Sequence, residues 1–183
     1  MLIRLLNKEK VLVLDSSAFI MGLEPLQLDL KLFTTPEVVE ELSSYWVQLK
    51  YSTAIYLKKL NVVSPTKDFL DEAKKVSEKT GDKLKLSRAD LSILALALEL
   101  KSKGFKPIII SDDFSVQNVA EHLKIDYTYL SGKGIKNQIE WIWYCPGCGR
   151  KFLSINFGEN CPVCGLKLKR KASKKISLRK NFG

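Results

Sequence analysis

The chain has 183 residues, and its 30 lysines and arginines outnumber its 20 acidic residues, which gives a net charge of +10. This length allows one ordinary domain and a small appendage. The longest strongly apolar run, residues 91–98, is far too short to cross a bilayer, and the N-terminus lacks the sustained apolar segment of a secretory signal. The composition excludes a membrane-spanning chain, so we expect a soluble cytoplasmic protein with no membrane partner.

Two apolar runs that end near acidic residues predict buried strands. The first covers residues 11–14 and is followed by Asp15, and the second covers residues 107–110 and is followed closely by Asp112 and Asp113. Shorter strand candidates lie at residues 30–34, 61–64 and 125–130.

Helical patterns separate the predicted strands. Thr35 is a good N-cap with Pro36 at the first helical position, which predicts a helix from residue 36 to about residue 49. Ser87 caps another helix, which is apolar nearly all round over residues 91–100 and is therefore expected to be buried. Strands that alternate with helices indicate an α/β fold with a mostly parallel sheet, in which ligands bind beyond the carboxyl ends of the strands.

Acidic residues are concentrated at the predicted strand ends and in the predicted helices beside them. They are Asp15, Glu40, Glu41, Asp90, Asp112 and Asp113. Carboxylates that converge at one edge repel one another and raise their own pKa values, so such a cluster normally holds Mg²⁺ or Mn²⁺. An ion held in this way can activate water for phosphodiester cleavage. The chain has one histidine, His122, which argues against acid–base catalysis by a pair of histidines.

Helix caps and turns explain the same acids one at a time. Asp90 fits a capping box at the start of its helix, and Asp113 suits the cap of the helix that follows it. Asp15 suits the start of a turn, and Glu40 and Glu41 suit a solvated helix face. The patterns alone leave both the metal site and these structural roles open.

All four cysteines lie in two CPxCG motifs, which together predict a structural zinc site. The ligands would be Cys145, Cys148, Cys161 and Cys164. Each motif turns tightly enough for two thiolates and nearby backbone N–H groups to converge on one ion. Two disulfides or four free thiols are the alternatives, and disulfides need an oxidising compartment, of which the sequence gives no sign. Because four thiolates fill a tetrahedral site, we expect the chemistry elsewhere.

The positive charge is concentrated at the C-terminal end of the chain. Residues 145–183 hold ten lysines and arginines and one acid, Glu159, whereas residues 1–144 are close to neutral. Such a basic field, beside a zinc ribbon that bears Arg150 and Lys151, favours binding to the phosphates of nucleic acid. A solvated tail that only improves solubility, or an arm that binds another partner, is the alternative.

Four acidic segments resemble the motifs of the PIN-domain nucleases, in the same order and at similar separations. They cover residues 11–20, 34–42, 86–90 and 110–114. Together with the four-cysteine ribbon, residues 9–170 resemble the Nob-type endoribonucleases of ribosome biogenesis in their compact archaeal form. The resemblance implies a PIN-like parallel sheet flanked by helices, a small C-terminal zinc ribbon, and cleavage of precursor small-subunit rRNA to form its mature 3′ end.

The resemblance also implies a catalytic set of four acids. They are Asp15, Glu41, Asp90 and Asp113. The three aspartates of this set would hold a catalytic Mn²⁺ or Mg²⁺, while the zinc would be structural. Glu40 and Asp112 are adjacent to members of the set and remain alternative ligands. Ser17 and Ser111 are expected to form hydrogen bonds with the carboxylates.

Domain boundaries follow from these patterns. We expect a nuclease domain over residues 1–130, a glycine-containing linker over 131–140, a zinc ribbon over 141–168 and a basic tail over 169–183. The expected partners are precursor rRNA, the precursor of the small ribosomal subunit and other assembly factors. Two alternatives stay open, namely a non-catalytic RNA-binding assembly factor and a PIN ribonuclease that acts on another RNA.

Overall fold

The computed structural model describes residues 9–131, 137–153, 155 and 157–177. The first of these segments contains five strands, β1 (Lys10–Leu14), β2 (Lys31–Thr34), β3 (Leu60–Val62), β4 (Lys106–Ile110) and β5 (Asp126–Thr128). They form one parallel sheet in the order β3-β2-β1-β4-β5. All five predicted strands are confirmed, although β5 is shorter than the segment 125–130 in which it was expected.

The central strands β1 and β4 fix where the site lies. Residues 11–14 of β1 are buried, as are Ile109 and Ile110 of β4, and apolar side chains on both faces suit a strand that is covered on both sides. The register pairs Leu14 with Ile110, so the two strands end at the same level. Asp15 and Ser111, the next residues in each strand direction, therefore meet at one edge of the sheet.

In the described part of the chain, six α-helices flank this sheet. They are α1 (Ser16–Ile20), α2 (Pro36–Glu41), α3 (Tyr45–Tyr56), α4 (Lys67–Thr80), α5 (Arg88–Ser102) and α6 (Phe114–His122). Residues 92–100 of α5 are all buried, which confirms the predicted apolar helix. Among the described residues, no helix combines the length and the apolar character that crossing a membrane requires.

The single helix predicted over residues 36–49 is wrong, because α2 and α3 are separate helices. α2 ends at Glu41, and Leu42 adopts an extended conformation with φ −76° and ψ 99°. The side chain of Leu42 is buried in the core, while the side-chain amide of Gln48 donates a hydrogen bond of 2.6 Å to its carbonyl. Core packing and this bond hold an interruption that no glycine or proline marks in the sequence.

A smaller antiparallel sheet follows the parallel one. Its strands are β6 (Asn137–Tyr144), β7 (Lys151–Phe152) and β8 (Lys169–Ser177), in the order β7-β6-β8. Residues 137–140, expected in the linker, thus lie in β6, and residues 169–177, expected in a tail, form β8. The remainder of the expected linker at 132–136, the tail end at 178–183 and the first eight residues lie outside the described residues.

Candidate functional site

Asp15 lies at the carboxyl end of β1 and is only 4% exposed. Its Oδ1 accepts the backbone N–H of Ser16 at 2.7 Å. Its Oδ2 accepts the hydroxyl of Ser17 at 3.0 Å and that of Ser111 at 2.7 Å, which confirms the hydrogen bonds expected of these two serines. Among the described residues no basic side chain forms an ion pair with Asp15. Its hydrogen-bond donors in the described part of the chain are serine hydroxyls and one backbone N–H.

Asp90 caps a helix and also lies near the other acids. Its backbone N–H donates to the hydroxyl of Ser87 at 3.1 Å, and its Oδ2 accepts the N–H of Ser87 at 2.7 Å, which completes a capping box at the start of α5. Burial, followed by repulsion from Asp15 and Asp113, raises the pKa of Asp90 to about 6. The capping role and the place in an acidic cluster thus belong to the same side chain.

The two aspartates that follow β4 have different surroundings. Asp113 caps α6 by accepting a backbone N–H at 2.6 Å through Oδ1, and its charge acts on Asp90. Asp112 Oδ1 accepts the N–H groups of Leu130 and Ser131 and the hydroxyl of Ser131, at 3.0 to 3.1 Å. Asp112 therefore fastens the segment that follows β5, and this geometry favours Asp113 as the acid of the cluster.

The glutamates of α2 include one that the sequence patterns missed. Glu40 and Glu41 are both exposed. Glu37, in the first turn, has a buried Oε2 with no hydrogen-bond partner among the described residues. Glu37 is three residues from Glu40 and four from Glu41, so it shares a helix face with both of them, and the spacing does not decide between the two. That spacing is the signal by which Glu37 could have been found.

The start of α2 is fastened to the helix that carries Asp90. The hydroxyls of Thr35 and Ser92, both buried, lie 2.5 Å apart and form a hydrogen bond. Thr35 precedes Glu37 by two residues, and Ser92 follows Asp90 by two residues. This bond ties the start of α2 to the first turns of α5, the helix that carries Asp90.

This donor set suits a hard divalent cation. Every candidate ligand is a carboxylate, and Mg²⁺ and Mn²⁺ prefer oxygen ligands. Burial contributes most to the raised pKa of Asp90, and repulsion from Asp15 and Asp113 adds to it. A cation bound by these aspartates would relieve that repulsion.

The four cysteine sulfurs form a second cluster, in which all Sγ atoms lie within 4.8 Å of one another. The Sγ atoms of Cys145 and Cys164 are 3.2 Å apart, and those of Cys148 and Cys161 are 3.6 Å apart. Four thiolates around one zinc, each bonded at about 2.3 Å, would be about 3.8 Å apart. The cluster therefore fits tetrahedral zinc, and the disulfide alternative is wrong because all four thiols are free.

The two cysteine knuckles repeat the same backbone turn. The N–H of Gly149 donates to the carbonyl of Cys145 at 3.0 Å, and that of Gly165 to the carbonyl of Cys161 at 2.9 Å. Both glycines have positive φ, +72° and +75°, which they adopt without steric penalty. The N–H of Cys148 also points at the sulfur of Cys145 and lowers the pKa of that thiol to about 6, which favours the thiolate that a metal binds.

Strand β8 presents most of the positive charge of the small sheet. This strand lies at the edge of the sheet, and all four of its lysines are exposed. They are Lys169, Lys171, Lys174 and Lys175. Its one arginine, Arg170, instead pairs with the buried Asp82 of the nuclease domain at 2.7 Å. The strand thus presents four exposed lysines, of which Lys174 also pairs with Glu140 of β6 at 3.8 Å, while its arginine pairs with the nuclease domain.

Comparisons with known proteins show that this chain is similar to ribonucleases. Residues 12–100, which include Asp15, Glu41 and Asp90, match the family described as the PIN domain of ribonuclease. The chain is 44% identical over 158 residues to endoribonuclease Nob1 of Pyrococcus abyssi, covering 86% of this chain and 91% of that protein. It is 36% identical over 166 residues to endoribonuclease Nob1 of Methanocaldococcus jannaschii, and the match covers 90% of this chain and 79% of that protein. It is also 34% identical over 131 residues to ribonuclease VapC1 of Thermoplasma acidophilum, and this match covers 72% of this chain and 64% of that protein.

Proposed function

Because this chain belongs to the Nob1 endoribonuclease family and is a metal-dependent PIN-domain nuclease, we propose that it cuts precursor small-subunit rRNA to form the mature 3′ end. Its expected setting is the cytoplasm, with the small-subunit precursor and other assembly factors as partners. The observation that carries the proposal is one chain that combines an acidic cluster at the carboxyl edge of a parallel sheet with a four-cysteine ribbon and a lysine-rich strand.

The acids have separate tasks in this proposal. Asp15, Asp90 and Asp113 would hold Mn²⁺ or Mg²⁺, with Glu41 and Glu37 beside them on α2. When bound, such an ion supplies an activated water and stabilises the leaving oxygen, which gives a 5′-phosphate and a 3′-hydroxyl. The serine hydroxyls on Asp15 Oδ2 fix the direction of that carboxylate, so it need not reorganise as charge develops on the RNA.

The ribbon would supply the RNA-binding surface. The four cysteines would hold zinc, which keeps the knuckles folded. Lysines of β8 would bind the phosphates of RNA by releasing counterions. The exposed side chains of Leu153 and Phe157, next to the knuckles, offer apolar surface to unpaired bases.

A direct test uses a labelled RNA that spans the 3′ end of the mature small-subunit rRNA. With Mn²⁺ we expect one main cut that leaves a 3′-hydroxyl, and with EDTA no cut. Asp15→Asn removes a charge that the metal needs, so cutting should be lost while RNA binding persists. Tight binding without any cut in the presence of Mn²⁺ would instead support the non-catalytic assembly factor.

Similarity to ribonuclease VapC1 favours a second candidate, a PIN ribonuclease that acts on another RNA. The same assay distinguishes the two substrates when an unrelated RNA of equal length is added as a competitor. Equal cutting of both RNAs would favour the second candidate. Preference for the precursor rRNA would favour the first.

A further inference from the structure

A buried ion pair joins the small sheet to the nuclease domain. The guanidinium of Arg170 on β8 donates to Asp82 Oδ1 at 2.7 Å, and the two side chains are 15% and 2% exposed. Asp82 lies just after α4 and its C-cap Gly81, and it precedes Arg170 by 88 residues in the sequence. Taking two charges out of water is costly, so a buried pair is poor evidence for added stability but good evidence for a defined geometry. The Nε of Arg170 is buried without a hydrogen-bond partner among the described residues. This unpaired donor adds to the cost of burying the arginine, so the pair is better explained by geometry than by stability.

Two further contacts surround the same arginine. Its guanidinium lies over the ring of Trp141 on β6, 4.5 Å from the ring centre. Trp141 in turn lies against the backbone of Gly81, where an added Cβ would come within 2.8 Å of the tryptophan Cβ and carbonyl oxygen. Gly81 has φ +75° and ends α4. The end of α4 and the middle of β6 are therefore in direct contact.

Asn118 on α6 completes the junction. Its side-chain amide donates to Asp82 Oδ2 at 2.7 Å and to the carbonyl of Ile139 at 2.8 Å. Its Oδ1 accepts the N–H of Ile139 at 2.7 Å. One side chain thus satisfies the backbone of β6 as a neighbouring strand would, and it also orients the carboxylate that holds Arg170.

The helix that carries Asn118 begins at the acidic cluster. Asp113 caps α6, and Asn118 follows it by five positions in the same helix. A helix rises about 1.5 Å per residue, so the two positions lie about 8 Å apart along a rigid element. The basic strand and the acids are consequently tied to opposite ends of the same short stretch of helix.

We propose that this junction, formed by Asp82, Asn118, Trp141 and Arg170, sets the position at which RNA is cut. Arg170 and Asp82 are positioning residues: they hold β8 at a fixed place relative to the aspartates, so RNA bound along the lysines enters the cluster in one register. This inference rests on the proposed function, since it needs RNA to be bound on the ribbon and cut at the acids.

The test maps cleavage ends at single-nucleotide resolution for the full chain with zinc and Mn²⁺. Arg170→Gln should spread the cut over several nucleotides or move its main site. Lys167→Gln is the matched control, because it removes one positive charge from the ribbon at a side chain that lies outside β8 and pairs with Glu159 rather than with Asp82. It should leave the main site unchanged, and Arg170→Lys should keep the native site at least in part. Unchanged cleavage ends in Arg170→Gln would overturn the proposal.

Gly81→Ala reaches the junction from the other side. Its control is Gly104→Ala, because Gly104 also has a positive φ, +93°, but no atom within 4 Å of an added Cβ. Both substitutions strain the backbone, while only Gly81→Ala pushes against Trp141. We expect a change of cleavage ends in Gly81→Ala alone, and equal patterns in the two variants would count against the junction.

Backbone ¹⁵N relaxation of the RNA-free protein gives a readout that does not depend on cutting. One rotational correlation time should describe residues 9–131 and 137–177 of the native protein, and two should be needed for Arg170→Gln. Independent tumbling of the two segments in the native protein would overturn the proposal even if RNA is cut. A native protein that tumbles as one body but cuts no RNA would instead refute the proposed function.

Discussion

The hydroxyl of Ser111 donates a hydrogen bond of 2.7 Å to Asp15, 96 residues earlier in the chain. The hydroxyl oxygen of Ser111 also accepts a hydrogen bond of 3.1 Å from the backbone N–H of Asp113. One serine at the end of β4 therefore orders two of the three aspartates in the cluster.

Ser111→Ala should lower the apparent affinity for Mn²⁺ by about 10- to 100-fold, the usual effect of losing a group that orients a metal ligand. It should also lower the free energy of unfolding by about 1–3 kcal/mol, because a buried carboxylate oxygen loses a donor. Mn²⁺ titrations of RNA cleavage and urea unfolding measure the two effects. Ser52→Ala is the control, since that hydroxyl is exposed on α3 and bonds only to a local carbonyl. An unchanged Mn²⁺ titration would limit Ser111 to a structural role.

Asp90→Asn should change how stability depends on pH when no divalent metal is present. The folded pKa of Asp90 is about 6, above its ordinary 3.8, so the folded state binds this proton more tightly than the unfolded state does. The resulting stabilisation is complete below about pH 3.8 and is lost as the pH rises through 6. Asn keeps a capping oxygen and has no charge, so the variant should gain stability relative to the native protein between pH 4 and 7.

The gain in the free energy of unfolding should not exceed about 3 kcal/mol, which is the free energy that corresponds to the pKa shift of Asp90. Urea unfolding in EDTA at several pH values measures it. Mn²⁺ at pH 7 should stabilise the native protein more than the Asp90→Asn variant, and it should thereby narrow the difference between their free energies of unfolding. A pH-independent difference between the two proteins would show that Asp90 acts only as a cap, and cleavage by the variant would then be expected to survive.

Cys148→Ser should unfold the knuckles without unfolding the parallel sheet. A fold that depends on a metal loses what the metal organises, and the core of the nuclease domain contains no cysteine among its described residues. Zinc content should fall, and amide signals of residues 145–168 should collapse toward random-coil positions in an NMR spectrum. Signals of the core strands β1 and β4 should stay in place. Loss of those signals as well would show that the nuclease domain needs the zinc.

Replacing the four exposed lysines of β8 by glutamine should weaken RNA binding and flatten its salt dependence. Each lost phosphate contact lowers the slope of log K against log salt by about 0.7 for single strands, so four contacts would lower it by about 2.8. Substitution is a cleaner test than deletion, because deletion would also remove the partner strand of β6. A slope that stays the same would mean that β8 serves solubility rather than RNA.

The sequence was sufficient for features whose cause is local. The strands β1 and β4 are apolar runs that stop at polar residues, and in a parallel sheet their ends must meet. The cysteine knuckles follow from spacing and glycine alone. Both sets of residues therefore lie where their patterns predicted them.

Features that depend on distant contacts were not predictable in this way. Segment 169–177 is rich in lysine and reads as a tail, but it forms β8 because β6 offers it a backbone partner. The difference between Asp112 and Asp113 rests on hydrogen bonds to Leu130 and Ser131, which no local pattern contains. Asp82 has lysines on both sides in the sequence, at positions 79, 83 and 85, and only the folded chain brings Arg170 to it.

The place of β8 at the outer edge of its sheet has a consequence for the protein before any RNA is bound. An edge strand carries unpaired backbone N–H and C=O groups, which invite a strand of another molecule to pair with it. Lysines at an edge oppose such pairing, because two copies would bring like charges side by side. The lysines of β8 therefore protect the free protein from self-association through this edge. When their charge is neutralised, the edge loses that protection.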